Sequence, residues 1–346
     1  MHRCRVLFLL SAILPQGVGM SAKSFPEMMQ TMRSFQESRV LLTAVELDIF
    51  TAVGDGSTSA QVAARIQANS RATESFLNAL VAMEFLSKKD GVFRNTPGTA
   101  RYLVSGSPDY ARPWLMHTVH LWDSWSTLTG AVRAGTAVVR PGIETQQADW
   151  TLSFITAMHS NARTAAAELV RVVGAGPVRK LLDIGGGSGA YSIAFAQANP
   201  GLRAEVLDLA SVVPIADRYI REAGIEARVK TRVGDLRSDV FGKGYDLILL
   251  SAICHMLGPE ENRDLLRRCF RALAGGGRVV IRDFVLEPDK TAPRSAALFA
   301  LNMLVGTREG STYTEAEYRE WLTGAGFTSI ARPDPSGDLI IATRPD

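Results

Sequence analysis

The apolar positions of this chain change their period once, near residue 175, and the change separates two kinds of architecture. From Ser34 to about Gly174, apolar residues recur at three- and four-residue spacing. Leu41, Val45, Leu47 and Phe50 form one series, and Phe76, Leu80, Met83 and Leu86 another, so successive helices each turn one face to a core. Ser57, Thr58 and Ser59 cap a short helix over 60–66, and Ser70 opens a longer one over 73–86. Lys88-Lys89-Asp90-Gly91 predicts a turn and 92–95 a short strand. Helix, short helix, helix and hairpin is the order of a winged-helix unit. From Val178 onward, apolar runs alternate with amphipathic segments. Strands are expected at 180–184, 204–209, 227–233, 245–250, 278–284, 328–333 and 339–343, with helices at 191–198, 212–223, 261–273 and 314–325. Strands joined by crossover helices make a parallel sheet covered on both faces. Asp334-Pro335-Ser336-Gly337-Asp338 is a tight hairpin turn, so the last strand runs antiparallel to its predecessor.

Composition adds mainly exclusions. A length of 346 residues predicts two domains, with a boundary at Gly174-Ala175-Gly176-Pro177. A net charge of +3 is too weak to draw the chain to nucleic acid or an acidic membrane. The second long helix of the winged unit, SRATESFLNALVAMEFL, carries one Arg and two Glu. A helix that reads a DNA groove presents several basic and amide side chains, so this one is expected to serve packing or dimerisation. No apolar run after the N-terminal segment approaches the ~18 residues of a membrane span. Cys4, Cys254 and Cys269 form no disulfide framework and no metal-ligand spacing, and His117 and His120, three apart, lack a carboxylate or Cys partner, so no metal is expected.

The chemistry gathers in 178–200, VRKLLDIGGGSGAYSIAFAQANP: strand, glycine turn, helix. Glycines let the backbone pass close to a ligand, and the helix start offers unpaired N–H groups. Gly185, Gly187 and Ala190, with Asp208 about 20 residues on, satisfy the looser nicotinamide pattern G-x-G-x-x-G/A. Three features oppose that assignment. Asp183, two residues before the glycines, would repel a pyrophosphate; Asp235 follows the next strand; and the sheet closes with an antiparallel strand. Taken singly, Asp208 or Asp235 could merely cap a helix. Together the series resembles a class I S-adenosylmethionine-dependent methyltransferase, whose cofactor carries an ammonium and a sulfonium and no phosphate. The resemblance implies that Asp183, Gly185 and Gly187 lie at the methionine and ribose end, that Asp208 accepts the ribose hydroxyls, that Asp235 holds the adenine amino group, and that Leu209 and Leu236 sandwich the adenine.

The resemblance narrows at 245–268, YDLILLSAICHMLGPEENRDLLRR, which is similar to small-molecule O-methyltransferases such as the plant caffeic acid and bacterial antibiotic-tailoring enzymes. It runs from about Ser34 to the C terminus. It implies an α/β, Rossmann-like seven-stranded methyltransferase sheet with its last strand antiparallel, behind an N-terminal all-α winged-helix dimerisation domain. It further implies a homodimer and a small hydroxyl acceptor. Residues 21–110 would dimerise, 111–176 would link the domains and cover the substrate, and 177–346 would bind the cofactor.

His255 takes the place of the family's catalytic base, and the residues argue the same way. A side chain past the carboxyl end of a parallel strand faces the ligand crevice, and imidazole accepts a hydroxyl proton near neutrality. Asp283, at the end of the 278–284 strand, aligns with the family's carboxylate beside the base. Ser251 stands where plant enzymes place a Lys at the cofactor, Met256 where an Asp follows the His, and Thr312 where a second Glu supports the base; Glu309 lies three residues before it. Met158 matches a residue that packs near the cofactor sulfur. Trp122, Trp125, Phe154, Phe299 and Met303 are expected to line a flat apolar pocket for an aromatic or polyketide-like phenol. Transfer to N or C on the same scaffold, or a non-catalytic winged-helix regulator that senses the cofactor, are the alternatives. Residues 1–20, with His2, Arg3 and Arg5 before an apolar 6–14, resemble a signal peptide. An intracellular cofactor favours a start at Met20 and a cytoplasmic protein instead.

Overall fold

The computed structural model describes residues 23–138, 148–334 and 337–346, so the segment 1–20 lies outside the described residues. The first helix, Phe25–Glu46, starts at Ser24, whose N–H donates to the Glu27 carboxylate (2.7 Å). Thr58 caps the Ser59–Arg65 helix: its hydroxyl accepts from the Gln61 N–H, and the Gln61 side chain accepts from the Thr58 N–H (2.9 Å). Asn69 caps the next helix, Ser70–Ala82. That helix stops four residues short of the expected Leu86, because Glu84 takes a left-handed conformation (φ 63°) and Leu86 opens a strand. Leu86–Lys89 pairs antiparallel with Val92–Asn95 across Asp90 and Gly91, both at positive φ (51° and 75°), so Lys88 and Lys89 belong to the strand and not to the turn. Ser57–Thr58 joins as a third short strand. The N-terminal unit is therefore mostly helical with a small wing, closed over Ile49, Phe50, Val62, Leu77, Leu80 and Phe93.

The C-terminal sheet has the strand order Thr328–Ala331, Leu339–Thr343, Leu273–Arg282, Tyr245–Ser251, Lys180–Ile184, Arg203–Asp208, Val229–Val233. The last five of that order are mutually parallel, and Leu339–Thr343 runs antiparallel to both its neighbours, as the hairpin requires. Lys180–Ile184 and Tyr245–Ser251 lie side by side although 60 residues lie between them in the chain. Chain order reverses at that pair, and ligands of open α/β sheets bind at such a switch point, at the strands' carboxyl ends. Alternation sorts the side chains. Leu182 and Ile184 enter the core on one face with Ile248 and Leu250, while Leu181 enters the other with Val206, Leu247 and Phe195. Asp183 shares the parity of Leu181, so it points to the side covered by the Ala190–Ala198 helix.

One helix and one two-stranded ladder carry no clear sequence pattern. The Arg294–Gly306 helix lies after the 278–284 region, and a parallel pair, Val285–Leu286 with Tyr313–Thr314, ties the chain beyond that helix back beside Asp283. The strand itself ends at Arg282, one residue before Asp283. Among the described residues, no helix is long and apolar enough to cross a membrane.

Candidate active site

The Lys180–Ile184 strand leads into a turn in which Gly185 and Gly187 both take positive φ (65° and 58°). A Cβ on Gly185 would run into Ile253 Cδ1, so that glycine lets the turn settle onto the segment after the neighbouring strand. At Gly187 a Cβ would meet only Ile155 Cδ1, at 3.7 Å. Space is open there, and the left-handed backbone alone asks for glycine.

Three aspartates lie in or just after the strand that leads into this turn and the two strands beyond it. Asp208 Oδ2 accepts the Gly187 N–H (2.8 Å) and Oδ1 accepts the Leu209 N–H (2.8 Å), which fastens the glycine turn to the end of the next strand. Burial raises the Asp208 pKa above the usual carboxylate value. Asp235 is held in a tight turn, with its Oδ1 accepting the Arg237 N–H (2.8 Å) and its N–H donating to Asp239 Oδ2 (2.6 Å). Asp183 is almost wholly buried; Oδ2 accepts the Ser192 hydroxyl (2.9 Å), and Oδ1 has no hydrogen-bond partner. Burial pushes its pKa up to about 7. An orphaned buried carboxylate oxygen costs about 1–3 kcal/mol, and a cationic ligand relieves that cost where a phosphate would add to it. The donor set thus fits S-adenosylmethionine and does not fit a dinucleotide.

On the other side of the switch point, the Tyr245–Ser251 strand breaks at Ala252, which takes a left-handed φ of 58° and donates its N–H to the Arg282 carbonyl (2.8 Å). One 3-10 turn follows, Cys254–Met256, and carries His255. Buried Asn262 clamps this turn by donating to the carbonyls of Cys254 (3.0 Å) and Leu257 (3.2 Å). Asp283 holds His255 twice. Its Oδ1 lies 2.6 Å from His255 Nδ1, and its Oδ2 accepts the His255 backbone N–H at 3.1 Å. An ionised carboxylate only accepts, so this contact puts the ring proton on Nδ1 and leaves the lone pair on Nε2. The Phe299 ring stands perpendicular to the imidazole (centroids 4.9 Å, 87°) and stacks on Phe284 (3.9 Å, 21°).

The other candidates lie on helices, at strand ends and on the segments that follow these elements. Met303, buried, sits one turn after Phe299. Trp125 donates its indole N–H to Asn302 of the same helix (2.8 Å). Phe154 meets His117 edge-on (5.1 Å), and Trp122 lies under the Arg39 guanidinium (5.3 Å) from the first helix. Met158 and Ser251 are half-buried, as are Leu209 and Leu236 beside the two turn aspartates. Thr312 donates its hydroxyl to the Ala296 carbonyl (3.1 Å), and Glu309 pairs with Arg308 (3.3 Å). Burial lowers the His117 pKa, with His120 adding to the effect. Among the described residues, no three potential ligands are grouped to hold a metal. The sequence reading missed Asn262, Phe284 and His159, whose Nδ1 lies 2.8 Å from the Ser188 hydroxyl in the glycine turn. None has a motif of its own, although Phe284 follows directly on Asp283.

Comparison with known proteins agrees with this geometry. The chain matches the O-methyltransferase domain model over residues 126–328 and the O-methyltransferase dimerisation domain model over 29–105. It is 34% identical to the 3-hydroxy-5-methyl-1-naphthoate 3-O-methyltransferase of Streptomyces sahachiroi, across 85% of this chain and 87% of that one. It is 32% identical to the acetylserotonin O-methyltransferase of Bos taurus, across 90% of this chain and 95% of that one. The solved structure of PigF with SAH superposes with a TM-score of 0.85 at 28% identity, covering 94% of this chain and 100% of that one. The aspartates call for a cationic, phosphate-free ligand, and the chain belongs to the S-adenosylmethionine-dependent O-methyltransferase family.

Proposed function

We propose that the protein methylates a hydroxyl group of a small aromatic or polyketide-like acceptor and that His255 is the general base. The observation that carries this reading is the 2.6 Å contact between His255 Nδ1 and Asp283, which turns the basic Nε2 away from the carboxylate. When bound, the cofactor supplies an electrophilic sulfonium methyl group. Asp208 would hold its ribose, Asp235 its adenine amino group with Leu209 and Leu236 on either side of the base, and Asp183, Gly185 and Gly187 its methionine end, with Met158 and Ser251 beside them. The oxygen–carbon bond would form as the carbon–sulfur bond breaks, with S-adenosylhomocysteine as the leaving group; His255 Nε2 would take the hydroxyl proton, and Asp283 would stabilise the resulting imidazolium. Positioned general bases contribute roughly 10²–10⁴-fold. Phe299 and Phe284 offer a flat apolar surface beside the base, with Met303, Phe154, Trp125 and Trp122 completing the pocket. Relatives named for a naphthoate and for acetylserotonin support an aromatic acceptor.

The assembly we propose is a homodimer, and the cytoplasm is its location because the methyl donor is intracellular. Residues 21–110 dimerise, 111–176 cover the acceptor and 177–346 bind the cofactor. Phe25, Met28, Met32 and Phe35 support the dimer: they follow helical spacing along Phe25–Glu46, with Phe25 74% and Met32 69% exposed in the single chain. A screen of phenolic acceptors with labelled cofactor, read by mass, tests the activity. Methyl incorporation into a hydroxyl is the expected result. Cofactor binding without incorporation into any acceptor would favour a cofactor-sensing regulator.

A further inference from the structure

The Ala148–Val173 helix crosses above the glycine turn, and two of its residues one turn apart face down onto it. Ile155 is the neighbour that a Cβ on Gly187 would meet, and His159 reaches the next residue, Ser188. The Ser188 side chain is buried, and its hydroxyl lies 2.8 Å from His159 Nδ1. The opposite side of the contact is also fixed. The imidazole stacks nearly parallel on Tyr219 (centroids 3.7 Å, 12°), which belongs to the Val213–Glu222 helix following the Asp208 strand. One ring is therefore wedged between the glycine turn and the helix that leaves the ribose carboxylate.

We propose that His159 is a positioning residue for S-adenosylmethionine: through Ser188 it holds the Gly187–Gly189 turn in its ligand-ready conformation. The proposal rests on the assignment of this turn to the cofactor. Gly187 and Gly189 both take left-handed φ (58° and 73°), on either side of Ser188. Glycine-rich turns lose more conformational freedom on ordering than any other sequence. A side-chain anchor that orders the turn beforehand removes part of that cost from the binding step. Asp208 anchors the turn at the Gly187 N–H, and His159 anchors it one residue later from the opposite direction. Burial, with the charges of Arg163 and Arg218, lowers the His159 pKa to about 4, so the ring stays neutral and keeps one donor and one acceptor nitrogen.

The test uses the full-length enzyme, with isothermal titration of S-adenosylhomocysteine as the main readout and steady-state kinetics beside it. His159→Phe keeps an aromatic ring for Tyr219 but removes the hydrogen bond, and Ser188→Ala removes it from the other end. Each is expected to weaken binding about tenfold, the value of one net hydrogen bond. KM for S-adenosylmethionine should rise in parallel, with kcat at saturating cofactor and KM for the acceptor within about twofold of the parent. His159→Gln, which can still hydrogen-bond Ser188, should recover most of the affinity, and the double variant should be no weaker than either single one. Unchanged affinity in both single variants would overturn the proposal, as would a loss that falls on kcat. Equal losses in the Phe and Gln variants, tracking a lower melting temperature, would also overturn it. Failure of the parent enzyme to bind S-adenosylhomocysteine would instead overturn the assignment of the turn to the cofactor.

Discussion

Asp283 holds His255 by two different atoms, its Oδ1 at 2.6 Å from the ring Nδ1 and its Oδ2 at 3.1 Å from the backbone N–H. The carboxylate thus sets both the position of the turn and the orientation of the ring. Replacing it with an amide separates the two roles. Asp283→Asn keeps the size and can still accept one bond, but its NH₂ group cannot accept from Nδ1–H. We expect kcat to fall by about a hundredfold or more, with S-adenosylhomocysteine affinity within about twofold. Retention of full kcat would show that Asp283 is only a structural tie.

Asp183 makes a prediction about pH. Its carboxyl, pushed up to about 7 by burial, binds a proton more tightly in the folded chain than in the unfolded chain, where 3.8 applies. The stability this confers is fully present below pH 3.8 and is lost as pH rises through 7. Between pH 6 and 8 the free protein should lose on the order of 1 kcal/mol from this group. Asp183→Asn should not show that loss, which urea unfolding at both pH values can measure. A cationic ligand favours the ionised carboxylate, so cofactor affinity should rise across the same range, with proton release visible by titration calorimetry in buffers of different ionisation enthalpy.

Gly310 packs against the carbonyl oxygen of His255, where a Cβ would collide with it and, at 2.5 Å, with Thr307 Oγ1. Backbone cannot move aside as a flexible side chain can. Gly310→Ala should therefore shift the His255 turn and lower kcat about tenfold or more. Affinity for S-adenosylhomocysteine should change little. Parallel losses in kcat and affinity would contradict this division of the site.

The exposed stripe on the first helix predicts the assembly state. Met32→Asp combined with Phe35→Asp places two charges on a surface that has no partner within the described chain. Light scattering after size exclusion should give a dimer for the parent and a monomer for the variant. A monomeric parent would remove the dimer from the account.

Much of this site was legible because its residues sit at fixed points of a periodic pattern. Asp183, Asp208 and His255 come at or just after the carboxyl ends of apolar runs, and parallel strands bring such ends to one edge. The parallel sheet and its antiparallel final strand followed from the same rhythm and one hairpin turn, whereas the order of the strands within the sheet did not. The end of the Ser70–Ala82 helix was not legible, because Leu86 fits helical spacing as well as it fits a strand, and the left-handed residue before it is Glu84, not a glycine. The Val285–Leu286 and Tyr313–Thr314 ladder is too short to show a period. His159 and Asn262 act through contacts with Ser188 and with two backbone carbonyls, which depend on how helices pack and leave no trace in spacing.

The central claim is that His255 removes the acceptor proton while taking no part in holding the cofactor. His255→Ala, assayed with a phenolic acceptor found in the screen, tests it most directly when methyl incorporation and S-adenosylhomocysteine binding are measured on the same preparation. The account predicts binding within about twofold of the parent and transfer slowed by roughly 10²–10⁴-fold. Transfer at the parent rate with binding intact would contradict it.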